Sequence, residues 1–283
     1  MHSAEERAEI LEKLFAAAMD AAKIVMRIYA EPDVGMELKG PNDPVTRADR
    51  EANALLLERL AKELPGIPIV AEESAPSDYA GFAKSRNALF VDPVDGTREF
   101  IAKNGEFAVM IGYAEDGDAT IGVIVCPAFA ESFLGAKDVG AFRVDGSGTR
   151  RKIHVTQTTE LAEARCAVSR FHRSKTVDAK LSALGVKELV TTGGAGIKAV
   201  RVASGVLDMY AHPSRGPVKL WDACAPDAIV RAAGGIHTDA SGRKFDYRGA
   251  VAQNEGTLAA NPTLHASAVE RFATVVPLEP YPR

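Results

Sequence analysis

The stretch of the chain with the clearest chemical potential is LFVDPVDGTREF, in which an apolar run leads directly into acidic residues. Asp92 and Asp95 lie three residues apart around a proline, Gly96 permits a tight turn, and Thr97 adds a hydroxyl. Mg²⁺ prefers oxygen ligands, usually a few carboxylates together with substrate phosphate. The turn therefore offers two carboxylates, a hydroxyl and the backbone carbonyl of Val94 to a hard divalent cation. The same residue types also occur in ordinary surface turns.

Three other acidic positions could contribute to the same site. The segment IPIVAEES places Glu72 at the end of an apolar run, 20 residues before Asp92. Asp222 follows the only tryptophan of the chain, and we place it at the N-cap of the next helix. Asp49 has capping-box spacing from Thr46. Each has a sufficient structural explanation alone, but together they predict carboxylates from separate segments that gather at one site.

The elements that would position these residues begin with two amphipathic helices. The capping-box spacing of Ser3 and Glu6 and the apolar periodicity that follows predict a helix over 3–29. A second helix is predicted from Thr46 to the residue before Pro65. A β-rich stretch comes next, with a hairpin signal at EDGD. Its predicted strands are 67–71, 88–91, 107–114, 119–126, 131–136 and 141–144.

The second half of the sequence alternates between strand and helix patterns. Residues 145–152 are polar, and we expect them to separate an α+β domain, 1–150, from an α/β domain, 151–283. The second domain would supply Asp222 and substrate contacts. Its predicted strands are 164–169, 188–191 and 206–211, and its predicted helices are 175–184, 197–204, 223–233 and 262–275.

Composition excludes several classes of protein. A chain of 283 residues with 46% apolar content can build a sizeable core. The formal net charge of −4 does not favour a nucleic-acid polymer as partner, because phosphate-backbone binding requires clustered Lys and Arg. The three cysteines are too scattered for a disulfide framework or a zinc site. Without a signal peptide or a long apolar run, we expect a cytoplasmic protein with no membrane association.

The motifs AEES, DPVDGT and WDACAP together resemble the inositol monophosphatase superfamily of magnesium-dependent, lithium-sensitive phosphatases. VDPVDGTREFIAKNGEFAVMIGY is similar to its 3′(2′),5′-bisphosphate nucleotidase branch, as are SRFH, the element Arg215, Gly216 and Pro217 before WD, and AAGG. The resemblance implies a layered αβαβα sandwich that acts on a small phosphorylated metabolite. Homodimers are common among such relatives.

The resemblance also implies roles for individual residues. Glu72, Asp92 and the carbonyl of Val94 would hold one Mg²⁺. Asp92, Asp95 and Asp222 would hold a second, with two or three ions bound in total. Thr97 and Asp49 would orient and deprotonate the attacking water. The implied substrate contacts are Gly96, Thr97, Ser169, His172, Lys198, Arg215 and Asp222.

The substrate is less closely specified than the reaction. Ser169 and His172 would face a nucleotide, and Lys198 would meet a second phosphate near a helix start. The related pattern is Gly-Ser-Ser-x-Lys, whereas this chain has Gly-Ala-Gly-Ile-Lys and lacks two hydroxyls. Adenosine 3′,5′-bisphosphate, an inositol 1-phosphate and a sugar phosphate such as fructose 1,6-bisphosphate all remain candidates.

Two other functions are compatible with parts of the sequence. GAGIKA fits the G-x-G-x-x-A fingerprint of a nicotinamide-dependent oxidoreductase, but Asp208 is too close to serve as its ribose-binding acid. A non-catalytic metal-binding regulatory protein would be expected to have lost a metal ligand or the water-activating pair. Every such position is present.

Overall fold

The computed structural model describes residues 1–41, 43–171, 173–214, 216–253 and 255–274. Helices and sheets alternate in five layers. A helix pair, a seven-stranded sheet, a second helix pair, a five-stranded sheet and a third helix pair follow one another. The predicted αβαβα sandwich is therefore confirmed.

The outer layer on one side consists of α1 (Ala4–Tyr29) and α2 (Arg47–Glu63). Both helices begin with the predicted capping box, and their apolar faces pack on the large sheet. Between them lies a short hairpin that the sequence patterns did not predict. It consists of β1 (Glu37–Gly40) and β2 (Asp43–Val45).

The large sheet carries most of the acidic motif. Its first two strands are parallel and the remaining neighbours are antiparallel. The antiparallel pair on either side of EDGD agrees with the hairpin signal. A short helix, α3 (Thr97–Ile101), follows the strand that ends at Asp95. In spatial order the strands are β3 (Ile69–Ala71), β4 (Asn87–Asp95), β5 (Ala108–Glu115), β6 (Asp118–Cys126), β7 (Glu131–Ala136), β8 (Gly140–Val144) and β9 (Arg150–Lys152).

The polar segment 145–152 contains regular structure at its end. Arg150–Lys152 form β9, which pairs with β8 at the edge of the large sheet. The segment therefore contributes a strand as well as a turn. The division into domains at residue 150 stays a prediction.

The middle layer consists of α5 (Ala195–Ala203) and α6 (Leu220–Ala232). Helix α6 lies across a row of three glycines in adjacent strands, Gly112, Gly122 and Gly135, which pair with one another in register. A Cβ at any of them would lie 2.3–2.7 Å from an atom of α6. Glycine at these positions therefore permits the close approach of helix and sheet.

The small sheet and the last helix pair complete the sandwich. Helices α4 (Lys175–Ala183) and α7 (Pro262–Thr274) cover its outer face. A two-stranded sheet pairs β13 (Val218–Lys219) with β15 (Ala252–Gln253). The small sheet has the order β11 (Glu188–Thr192), β10 (Arg165–Ser169), β12 (Met209–His212), β16 (Thr257–Ala260) and β14 (Ile236–Thr238).

The strands of this half were predicted incompletely. β12 begins three residues later than the apolar pattern indicated, and β13 to β16 were not predicted. These four strands are only two to four residues long, too short to show periodicity. Within the described ranges, no helix combines the length and apolar character needed to cross a membrane.

Candidate active site

A cavity of about 510 Å³ lies where the acidic motifs meet. Glu72 follows β3, Asp92 and Asp95 lie at the end of β4, and Asp222 comes from α6. All four side chains line the cavity. The structure thus brings together the carboxylates that the sequence predicted from three separate segments.

The carboxylates repel one another strongly. Burial, followed by the charges of Glu72 and Asp95, raises the pKa of Asp92 and that of Asp222 well above the usual range. Burial also raises the pKa of Glu72 to about 7, although Lys39 opposes the shift. A bound divalent cation would favour the ionised forms and relieve this repulsion.

Each carboxylate also has a hydrogen-bonding partner. Lys39 Nζ lies 3.1 Å from Glu72 Oε1, and Asp92 Oδ1 accepts a hydrogen bond from the Val94 amide at 2.9 Å. Asp222 shares a hydrogen bond with Asp92. Among the residues that the structure describes, no three acidic, histidine or cysteine side chains already form a metal-binding group.

This donor set nevertheless fits a hard cation. Every donor is an oxygen, the four carboxylates share one cavity, and their charges disfavour one another in the absence of a counter-charge. The individual metal-ligand assignments stay predictions.

Asp49 and Thr97 are in direct contact. The Thr97 hydroxyl donates to Asp49 Oδ1 at 3.1 Å, while Asp49 Oδ2 accepts from the Thr46 amide at 2.7 Å and from the Thr46 hydroxyl at 2.5 Å. Thr97 Oγ1 also lies 3.2 Å from the carbonyl oxygen of Val94. Burial raises the pKa of Asp49. One carboxylate oxygen of Asp49 therefore caps α2, while the other accepts from Thr97 in the turn after β4.

Five of the seven predicted substrate contacts line the cavity. Gly96, Thr97, Ser169, Lys198 and Asp222 all line it. His172 and Arg215 lie outside the described residues, so their predicted contacts stay predictions.

Lys198 is almost fully buried beside this acidic cluster. Its Nζ donates to the Gly194 carbonyl and lies 5.2 Å from the centre of the Tyr210 ring. Burial lowers the pKa of Lys198, while the surrounding carboxylates, Asp95 first, raise it. Lys198 Nζ therefore lies close to the carboxylates that line the cavity.

The position of Asp222 in its helix differs from the prediction. Helix α6 begins at Leu220, with Lys219 as N-cap, so Asp222 is the third helical residue. The Leu220 amide donates to the Val251 carbonyl at 2.9 Å, which provides a partner for an amide of the first turn. A carboxylate in the first turn is still favoured by the helix dipole.

Sequence reasoning missed two charged groups around the cavity, Lys39 and Glu106. Lys39 on β1 lies 2.6 Å from Glu73 Oε1 and contacts Glu72 as well. Glu106 accepts hydrogen bonds from the loop before α5. Only Glu106 had a sequence signal, because it belongs to the NGEF stretch of the family resemblance.

The dinucleotide fingerprint does not form a free phosphate site. The amides of Ala195 and Gly196 at the start of α5 donate to the two oxygens of Asp95, at 2.8 and 2.7 Å. Asp208 accepts from the Arg165 amide and the Thr158 hydroxyl, both at 2.8 Å. Neither part of a nicotinamide-binding unit is available to a ligand in this arrangement.

A further buried acid on α6 is expected to make stability depend on pH. Burial raises the pKa of Asp227 to about 7 despite Arg231 nearby. Its Oδ2 accepts from the Tyr247 hydroxyl at 3.1 Å, and its Oδ1 has no hydrogen-bond partner within the described part of the chain. Because the folded-state pKa lies above the unfolded one, this acid contributes stability below about pH 4 that is lost as the pH rises through about 7.

We therefore expect Asp227→Asn to stabilise the protein more at pH 8 than at pH 5, by on the order of 2–3 kcal/mol. Urea unfolding with chelator present, at both pH values, measures the difference. An equal change in unfolding free energy at the two pH values would contradict the assignment.

Comparison with known proteins agrees with this geometry. A match to the inositol monophosphatase family extends over residues 6–276. The chain belongs to that family. Because the chain belongs to this family and is similar to bisphosphate nucleotidases, it is a phosphatase that hydrolyses phosphate monoesters. The enzyme class predicted from the motifs is thus confirmed.

Individual relatives in the inositol monophosphatase family cover nearly the whole chain. The 3′(2′),5′-bisphosphate nucleotidase CysQ of Salmonella typhimurium is 33% identical over 240 residues, 84% of this chain and 94% of that protein. Human 3′(2′),5′-bisphosphate nucleotidase 1 is 28% identical over 273 residues, 84% of this chain and 85% of that protein. The extragenic suppressor protein SuhB of Bartonella henselae superposes with a TM-score of 0.82 at 26% identity, over 95% of this chain and 100% of that one.

Proposed function

We propose that the chain is a magnesium-dependent 3′(2′),5′-bisphosphate nucleotidase that converts adenosine 3′,5′-bisphosphate to AMP and phosphate. The observation that carries the proposal is a single cavity lined by the four predicted metal-ligand carboxylates and by the buried Lys198. This arrangement could hold cations beside one phosphate and offer a positive charge to another. The identity to the Salmonella nucleotidase supports the same substrate.

The carboxylates divide into two proposed metal sites. Glu72, Asp92 and the Val94 carbonyl would hold one Mg²⁺, and Asp92, Asp95 and Asp222 a second. When bound, such ions supply charge neutralisation at the phosphoryl group and a more acidic water. Two of these ligands are already fixed by the backbone, because Asp92 accepts from the Val94 amide and Asp95 accepts from the start of α5.

Asp49 and Thr97 are the groups of the chain that would handle the proton. The attacking water would donate to Thr97 Oγ1, and the Thr97 hydroxyl would pass its proton to Asp49 Oδ1, which it already contacts. The water oxygen bonds to phosphorus as the ester P–O bond breaks, and the released ribose hydroxyl takes up a proton. Because Asp49 Oδ2 is held by Thr46, the accepting oxygen keeps its orientation.

The second candidate substrate is an inositol 1-phosphate or a sugar phosphate such as fructose 1,6-bisphosphate. Ala195 and Gly196 offer no side-chain hydroxyl at the start of α5. A Cβ at Gly196 would lie 2.5 Å from Met110 Sδ, so the missing side chain is replaced by a neighbouring thioether. The absence of these two hydroxyls is the feature that departs from the nucleotidase pattern and favours the alternative.

A substrate panel tests the proposal directly. With Mg²⁺ present, kcat/KM for adenosine 3′,5′-bisphosphate should exceed that for inositol 1-phosphate and fructose 1,6-bisphosphate. Activity should disappear with chelator and fall with lithium, as is typical of the family. A preference for either of the other two substrates would assign the chain to the second candidate. A cytoplasmic location and a homodimer stay predictions from the sequence.

A further inference from the structure

The Glu106 carboxylate connects three segments beside the cavity. Its Oε2 accepts from the Gly193 amide at 2.9 Å and from Arg170 Nη2 at 2.7 Å, and its Oε1 accepts from the Thr192 hydroxyl at 3.2 Å. Arg170 follows β10, Thr192 is the last residue of β11, and Gly193 lies between β11 and α5. One side chain therefore joins the loop before β5 to both strand ends of the small sheet.

Glu106 accepts from the glycine loop, Gly193 and Gly194, which has no side-chain contacts to determine its conformation. Gly193 and Gly194 have no side chains, and Gly194 adopts a positive φ of 60°. A Cβ at Gly193 would lie 2.3 Å from Glu99 Cγ, and one at Gly194 would lie 2.7 Å from Asp95 Oδ2. The glycines thus pass through a narrow space between acidic side chains, and contacts from outside the loop determine their position.

Two carboxylates supply those contacts from opposite ends of the loop. Asp95 accepts from the first amides of α5, and Glu106 accepts from Gly193. The cavity is lined by Gly194, Ala195 and Lys198 but not by Glu106. Glu106 therefore lies behind the cavity wall. It contacts the loop and Arg170, and its charge opposes the lowering of the pKa of Lys198.

We propose that Glu106 is a positioning residue that holds the glycine loop and the end of β10 in place for the part of the substrate beyond the reacting phosphate. The cavity-facing residues that depend on it are Ser169 at the end of β10 and Ala195 and Lys198 at the start of α5. The inference rests on the proposed function for the identity of the substrate. The role of Glu106 in holding the glycine loop does not depend on which substrate is bound.

The role depends on hydrogen-bond acceptance rather than on negative charge. A glutamine at 106 could direct its carbonyl oxygen to Gly193 and Arg170 and its amide group to the Thr192 hydroxyl, which can accept as well as donate. Alanine would leave all three donors without this partner. Glu106→Gln should therefore preserve the positioning that Glu106→Ala removes.

Glu131→Ala is a matched control. The Glu131 side chain is similarly buried and also accepts from two arginines, Arg143 at 2.5 Å and Arg201 at 3.3 Å, but it does not line the cavity. Loss of a partly buried carboxylate that accepts from arginine is therefore common to both alanine variants. Only Glu106→Ala affects the glycine loop.

Steady-state kinetics provide the first test. Glu106→Ala should raise KM for adenosine 3′,5′-bisphosphate by about 10- to 100-fold with kcat within about threefold of wild type, from the loss of the hydrogen bonds that hold the loop. The parameters for 4-nitrophenyl phosphate, which does not extend to the loop, should change little. Glu106→Gln and Glu131→Ala should resemble wild type. Equal losses for both substrates, or for the Gln and Ala variants, would overturn the proposal.

Amide hydrogen exchange provides a test that does not need activity. Peptides that cover residues 188–200 should exchange faster in Glu106→Ala than in wild type, Glu106→Gln or Glu131→Ala. Unchanged exchange in Glu106→Ala, with the variant folded by circular dichroism, would overturn the positioning role. If wild type preferred inositol 1-phosphate, the substrate assignment would fail while the exchange result would still decide the role of Glu106.

Discussion

Asp92→Asn is expected to lower kcat by about 10³-fold or more, because Asp92 belongs to both proposed cation sites. The stabilisation of phosphoryl charge by metal ions is worth several kcal/mol, and about 1.4 kcal/mol corresponds to tenfold in rate. Asparagine keeps the size of the side chain and an oxygen that can accept from the Val94 amide. The loss would therefore come from the carboxylate charge rather than from local unfolding.

Asp49→Asn is the comparison variant for this prediction. General-base catalysis contributes about 10²–10⁴-fold, so kcat should fall in this variant too. Its dependence on Mg²⁺ concentration should stay close to that of wild type, because Asp49 is proposed to act on water through Thr97. Mg²⁺ should raise the melting temperature of wild type and Asp49→Asn but not of Asp92→Asn.

The stability of the metal-free protein gives an independent check on Asp92. The neighbouring carboxylates that raise its pKa also destabilise the folded state when ionised. With chelator at pH 8, Asp92→Asn should therefore unfold at a higher urea concentration than wild type. Full activity in Asp92→Asn, or an undiminished response to Mg²⁺, would contradict its place at the centre of the site.

The sequence predicted the acidic site well because its geometry is largely local. Asp92, Asp95 and Thr97 are fixed by one strand end and the turn after it, and Glu72 follows the neighbouring parallel strand. Since parallel strands end at the same edge of a sheet, the two segments meet without knowledge of the remaining fold. The contact between Asp49 and Thr97 came only from the family resemblance.

Contacts that depend on tertiary packing could not be predicted from the sequence. Lys39 reaches Glu72 from a four-residue strand, and Glu106 reaches Gly193 across 87 positions of sequence. Both are charged residues on short or irregular segments, where composition predicts only solvent exposure. Their partners become apparent only when the two sheets and the middle helix pair are assembled.

Helix α6 is the element whose position depends most on such packing. Pro226 lies inside it and has no amide hydrogen to donate to the carbonyl of Asp222, four residues earlier. The first turn, which carries Asp222, is therefore held less firmly by the helix itself. Contact with the glycine row of the large sheet compensates, because Gly122 lets the backbone of Ala225 approach β6 directly.

Gly122→Ala is accordingly expected to destabilise the protein by about 3 kcal/mol and to weaken its response to Mg²⁺. The new Cβ would lie 2.3 Å from the Ala225 carbonyl oxygen and 3.0 Å from Ile229 Cγ1. Because the nearest atom belongs to helix backbone, relief requires α6 to move away from the sheet, and Asp222 would move with it. Overpacking of a core typically costs 1–3 kcal/mol, occasionally more.

Urea unfolding and Mg²⁺-dependent activity together distinguish displacement of α6 from simple loss of stability. Gly40→Ala is the control for unfolding. Among the described residues, no atom lies within 4 Å of a Cβ at that position, so stability should be unchanged or slightly higher. At a temperature where Gly122→Ala is still folded, it should need more Mg²⁺ for half-maximal activity than wild type. A destabilised variant with an unchanged Mg²⁺ requirement would show that Asp222 keeps its position without the glycine row.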